Sequence, residues 1–83
     1  MSDEELRAAV IRVLCEVAPD IRPETIDPAA SLRDSLDLDS VDFMNFVVGL
    51  HHTLGVDVPE ADYARLATID QCVTYLRARR AGE

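Results

Sequence analysis

The side chains able to do chemistry are densest between Asp34 and Asp42, where Asp34-Ser35-Leu36-Asp37 and Asp39-Ser40-Val41-Asp42 each set a hydroxyl between carboxylates. A serine acts as a catalytic nucleophile only when a base takes its proton, and this segment holds no Cys, Lys or His. The chemistry open to it is that of a hydroxyl modified by another molecule. If Asp39 caps a helix by accepting from the amide of Val41 or Asp42, the Ser40 hydroxyl is released from capping and projects outward. The unpaired amides at such a helix start favour a phosphate there. Read by itself, a Ser before an apolar helix is most often just a cap.

The remaining candidates carry less. His51 and His52 are adjacent, so on a helix they point about 100° apart and do not readily share one metal ion. The run Asp34, Asp37, Asp39 and Asp42 suggests calcium, but a loop of the EF-hand kind starting at Asp37 has no Gly at its sixth position and no Glu at its twelfth. No metal site is expected. Cys15 and Cys72 lack metal-ligand spacing and read as free thiols within helical patterns.

Four helices are expected to position this segment. Ser2-Asp-Glu-Glu5 is a capping box, and Leu6, Val10, Val13, Leu14 and Val17 follow in one apolar stripe until Pro19, predicting a helix over about residues 3–18. Residues 19–39 hold three prolines and isolated apolar anchors at Ile21, Ile26, Leu32 and Leu36. They read as a long structured loop that packs across helix ends, with room for one short helical turn. From Ser40 the spacing of Phe46, Leu50 and Leu54, with Phe43 and Val47 beside them, predicts a helix over 40–54 that Gly55 ends in the left-handed conformation. Pro59 precedes a short helix at about 60–65, and Thr68-Ile-Asp-Gln71 caps a last helix over about 69–80. Its Arg77, Arg79 and Arg80 suit the negative end of the helix and read as a solvated terminus; the last three residues are expected to fray.

Size and charge narrow the partners. Eighty-three residues enclose one core, so 1–83 is taken as a single domain and a monomer. The 16 acidic against 8 basic residues give a net charge of -8, which opposes nucleic acid and anionic membranes. Residues 34–62 contain seven Asp or Glu and no Lys or Arg, implying a partner with a basic surface. The acidic N-terminus is unlike a signal peptide and no apolar run is long enough to span a bilayer, so a cytoplasmic location is expected.

Leu36-Asp-Leu-Asp-Ser-Val-Asp42 is similar to the signature of the acyl carrier family, in which Asp-Ser opens the second helix and an apolar residue and an acid follow. The order of elements agrees over nearly the whole chain: capped helix, long loop, this helix, a Gly55-Val-Asp-Val-Pro59 exit, a short helix and a capped final helix. The resemblance implies an all-α four-helix bundle with a long first loop and a short third helix. It also implies that Ser40 bears a 4'-phosphopantetheine arm taken from coenzyme A, with Asp39 as the flanking cap. Ser35 sits in the better literal match. Ser40, however, lies 19 residues before Pro59, which leaves room for a four-turn helix and its exit, and spacing therefore selects Ser40.

The same resemblance implies a phosphopantetheinyl transferase that installs the arm, with magnesium mainly on the transferase side, then an acyl-loading ligase or transferase and enzymes that use the thioester. The protein itself is a carrier and substrate, not an enzyme. Val41, Asp42, Met44 and Val48 are the residues expected to face partners, although Met44 and Val48 at helical spacing fit a core equally well. Typical fatty-acid carriers keep glutamates along this helix where the present chain has Asn45, Gly49, His51, His52 and Thr53. That thinned stripe favours a specialised fatty-acid, polyketide or lipid pathway, and keeps open an aminoacyl or peptidyl carrier or, less favoured, an acidic adaptor without the arm. Asp37 stands where a Gly is common, so a differently shaped turn before Ser40 is expected.

Overall fold

The structure, a computed structural model, describes residues 2–81; Met1, Gly82 and Glu83, two of them in the terminus expected to fray, lie outside it. Helix α1 (Asp3–Val17) starts at the Ser2 capping box: the Ser2 hydroxyl accepts from the Glu5 amide and Glu5 accepts from the Ser2 amide. Those two bonds draw the Glu5 carboxyl below its ordinary value. The chain then runs through a single 3₁₀ turn (Pro23–Thr25) to the four-residue helix α2 (Leu32–Ser35). Helix α3 (Ser40–Leu54) follows, then a 3₁₀ helix (Glu60–Leu66) and finally α4 (Ile69–Ala81). The described residues contain no strand, and the chain is all-helical.

One continuous core joins these elements. Leu6, Val10, Val13 and Leu14 of α1 pack with Phe46 and Leu50 of α3 and with Ile69, Cys72 and Leu76 of α4. Helix α1 lies against both α3 and α4. Its tie to α4 is reinforced at the surface by Arg7 with Asp70 and Arg77 with Asp3. Burial pushes the Cys72 thiol up to about 12, as expected for a small apolar side chain in the core.

Gly49 owes its identity to this packing. A Cβ there would meet the Val13 Cγ1 methyl at 2.6 Å, so a larger residue would force α1 and α3 apart. Its absence of charge is a packing requirement and says nothing about partners.

The long first connection is built, not slack. Leu32 and Leu38 are buried, and Ile21, Ile26 and Leu36 rest against the core. The Leu32 amide donates to the Ala67 carbonyl at 2.8 Å and the Asp70 amide to the Pro28 carbonyl at 3.1 Å, fixing the loop to the start of α4. Asp37 takes φ 55°, a left-handed conformation that a short polar side chain tolerates. One expectation changes here. The arginines of α4 are not a loose solvated end. Arg79 donates to the Asp57 carbonyl and Arg80 to the Leu54 carbonyl, so Arg80 satisfies an acceptor that the last turn of α3 leaves open.

Candidate functional site

Helix α3 begins where three local signals agree. The left-handed Asp37 reverses the chain, Leu38 anchors it in the core, and Asp39 in extended conformation caps the helix. The Asp42 amide donates to Asp39 Oδ1 at 2.8 Å, and the Asp39 amide donates to Asp42 Oδ2 at 3.4 Å. This reciprocal pair satisfies the helix start without using the neighbouring hydroxyl.

Ser40 is therefore the first helical residue, exposed, with its side chain spared from capping. Its hydroxyl oxygen accepts from Arg33 Nη2 at 3.3 Å. Arg33 is the second residue of α2, whose first residue, Leu32, is fully buried and whose start is capped by the Ser31 hydroxyl. Burial of Leu32 sets the rotation of this short helix, and Arg33 is carried to the rim facing Ser40. The Arg33 guanidinium also lies 5.9 Å from the centre of the Phe43 ring. Arg33, Ser31, Phe43, Tyr63, Ala64 and Ala67 line a cleft of about 280 Å³ between α2, α3 and the 3₁₀ helix.

Ser35 is placed differently. It is the last residue of α2, not part of an irregular loop, and it stands among helix carbonyls. Carbonyl dipoles there oppose an anion, whereas the amides at the start of α3 favour one. Ser40 thus sits in the more suitable field for a phosphate ester.

Of the side chains expected to face partners, Val41, Met44 and Val48 are 66%, 56% and 48% exposed, far above any neighbour in the core. They fall at three- and four-residue steps and form an apolar stripe leading from Ser40 along the open face of α3. Asp42 is half-buried, since its carboxylate is engaged in the cap. His51 pairs with Asp57 at 2.9 Å near the far end of the helix, away from the hydroxyl.

Sequence reasoning missed Arg33. It lies seven positions before Ser40 but in a separate helix, so helical periodicity does not relate the two, and only the tertiary placement of α2 brings them together. An isolated cation bordering an acidic stretch was the available signal.

Comparison with known proteins shows the family. Residues 4–76 match the family profile described as a phosphopantetheine attachment site. The chain is 34% identical over 93% of its length to the meromycolate extension acyl carrier protein of Mycobacterium leprae, spanning 66% of that protein. It is 30% identical over 96% of its length to an acyl carrier protein of Renibacterium salmoninarum, spanning 98% of it. A Lactobacillus johnsonii acyl carrier protein is 28% identical over 96% of the chain. With the profile matching residues 4–76 and these relatives matching more than nine-tenths of the chain, the chain belongs to the phosphopantetheine-bearing acyl carrier family.

Proposed function

We propose that this protein carries acyl groups on a 4'-phosphopantetheine arm esterified to Ser40, in a specialised lipid, fatty-acid or polyketide pathway. The observation that carries the assignment to Ser40 is the Asp39–Asp42 reciprocal cap, which leaves an exposed hydroxyl at the start of a long helix. The residues present fit the arm's phosphodiester, with helix amides on one side and the Arg33 cation on the other. When bound, the arm supplies a terminal thiol able to hold an acyl group as a thioester.

The chain's own residues present and orient the hydroxyl; they do not activate it. The only side chain hydrogen-bonded to Ser40 among the described residues is Arg33, and a guanidinium has no acceptor for a proton. The base that takes the Ser40 proton therefore belongs to the transferase, and the protein is a substrate of its partners, not a catalyst.

Val41, Met44 and Val48 form the apolar part of the docking surface and Asp39 and Asp42 its charged start. A partner with a basic rim around an apolar seat fits this face. The absence of glutamates at Asn45, His51, His52 and Thr53, positions apart from Gly49, and the likeness to meromycolate extension carriers favour a dedicated lipid pathway over bulk fatty-acid synthesis, and the acyl relatives favour acyl over aminoacyl cargo. No described helix is long and apolar enough to cross a membrane, which is compatible with a cytoplasmic carrier.

The test is coexpression with a broad-specificity phosphopantetheinyl transferase and intact mass measurement. One phosphopantetheine is expected per chain, and the protein isolated from its own host should release an acyl group on thioester cleavage. A mass that stays at the unmodified value would contradict the proposal.

A further inference from the structure

We infer that Arg33 is the protein's own binding residue for the phosphodiester of the arm. The inference rests on the reading of Ser40 as the attachment point. Arg33 is the single Lys or Arg between Arg22 and Arg65, and the segment it borders carries Asp34, Asp37, Asp39 and Asp42. In such surroundings a guanidinium would ordinarily find a carboxylate. Among the described residues Arg33 forms no ion pair despite those carboxylates; of the eight arginines only Arg7 and Arg77 do.

Its side chain is directed instead by two other contacts, Nη2 to the Ser40 hydroxyl oxygen at 3.3 Å and the guanidinium over the Phe43 ring at 5.9 Å. A phosphodiester at that same oxygen carries one negative charge shared by two non-bridging oxygens, two bonds from Oγ, and the guanidinium has further N–H groups beyond the one on Nη2 to offer them. Planar, multidentate recognition of phosphate is the property that distinguishes Arg from Lys. The backbone supports the placement, because the Arg33 carbonyl accepts from the Leu38 amide at 3.1 Å and so ties the end of α2 to the turn before α3. A cation with no carboxylate partner among the described residues therefore lies beside the hydroxyl that is to bear an anionic ester, and it also lines the cleft beside Phe43 and Tyr63.

The experiment compares apo and loaded protein by NMR, following the Arg33 Nε–Hε signal and the ³¹P signal of the phosphodiester. In the wild-type chain loading should move the Hε signal downfield and slow its exchange with water by about tenfold, as a charge-assisted hydrogen bond forms. The ³¹P signal of loaded Arg33→Gln should differ from that of the wild type, with Arg33→Lys restoring only part of the difference. An Hε signal identical in apo and loaded wild type would overturn the inference without need of any variant. So would superimposable ³¹P signals in loaded wild type and Arg33→Gln. Failure of the wild type to load at all would instead overturn the attachment itself and this inference with it.

Discussion

Asp39 and Asp42 exchange hydrogen bonds with each other's backbone amides across the first turn of α3, and Ser40, lying between them, takes no part. The arrangement divides labour between adjacent residues, one set holding the helix and the other offering a hydroxyl. Asp39→Ala should lower stability by about 1 kcal/mol, the usual cost of losing such a cap, while Asp39→Asn should retain most of it. Ser40 is then the nearest hydroxyl able to take over as cap, so loading by the transferase should also slow. Urea unfolding and the rate of arm transfer check the two effects; an unchanged unfolding midpoint in Asp39→Ala would remove the cap from the account.

A Cβ at Gly49 of α3 would lie 2.6 Å from Val13 Cγ1 of α1. Gly49→Ala gains about 1 kcal/mol of helix propensity but meets a stiff, buried methyl, and overpacking costs about 1–3 kcal/mol, so the variant should be destabilised overall. In a Val13→Ala background the same change should become stabilising. A double-mutant cycle measured by urea unfolding tests this, and additive effects would contradict it.

The apolar stripe predicts a separation of binding from folding. Met44→Glu and Val48→Glu alter exposed positions, so the unfolding midpoint should move by no more than about 0.5 kcal/mol in equivalent stability. Arm transfer should lose kcat/KM by roughly tenfold or more if Met44 fills an apolar seat on the transferase. Equal transfer rates in wild type and both variants would show that this face is not the one the transferase reads.

The buried Cys72 should resist thiol reagents at pH 8 while the less buried Cys15 reacts. The folded state holds the Cys72 proton from 9.0 up to about 12, so this thiol contributes no pH dependence below 9.0 and its contribution to stability falls as pH rises from there. Tyr75, raised by burial and by donating to Asp62 at 2.7 Å, adds a loss of the same sign at high pH. Labelling followed by mass spectrometry, with and without urea, checks the order; equal labelling of both cysteines in the native protein would place Cys72 wrongly.

Much of this was legible because local and tertiary signals coincide. The capping boxes and apolar periods mark α1 and α3 in the sequence, and the Asp39 cap, which frees Ser40, follows from residue types alone. What was hidden depends on contacts between segments far apart or out of helical register. Arg33 reaches Ser40 only because Leu32 buries and turns α2. Gly49 looked like a gap in a charged stripe until α1 lay across it, and Arg80 looked like part of a solvated helix end until the Leu54 carbonyl was beside it. The positive φ of Asp37 was not legible either, since a short polar side chain reaches it but does not require it.

The central claim is the identity of the modified hydroxyl, and intact mass after transferase treatment of wild type, Ser40→Ala and Ser35→Ala tests it most directly. The account predicts a gain of one phosphopantetheine in the wild type and in Ser35→Ala and none in Ser40→Ala. A gain that persists in Ser40→Ala and disappears in Ser35→Ala would contradict it.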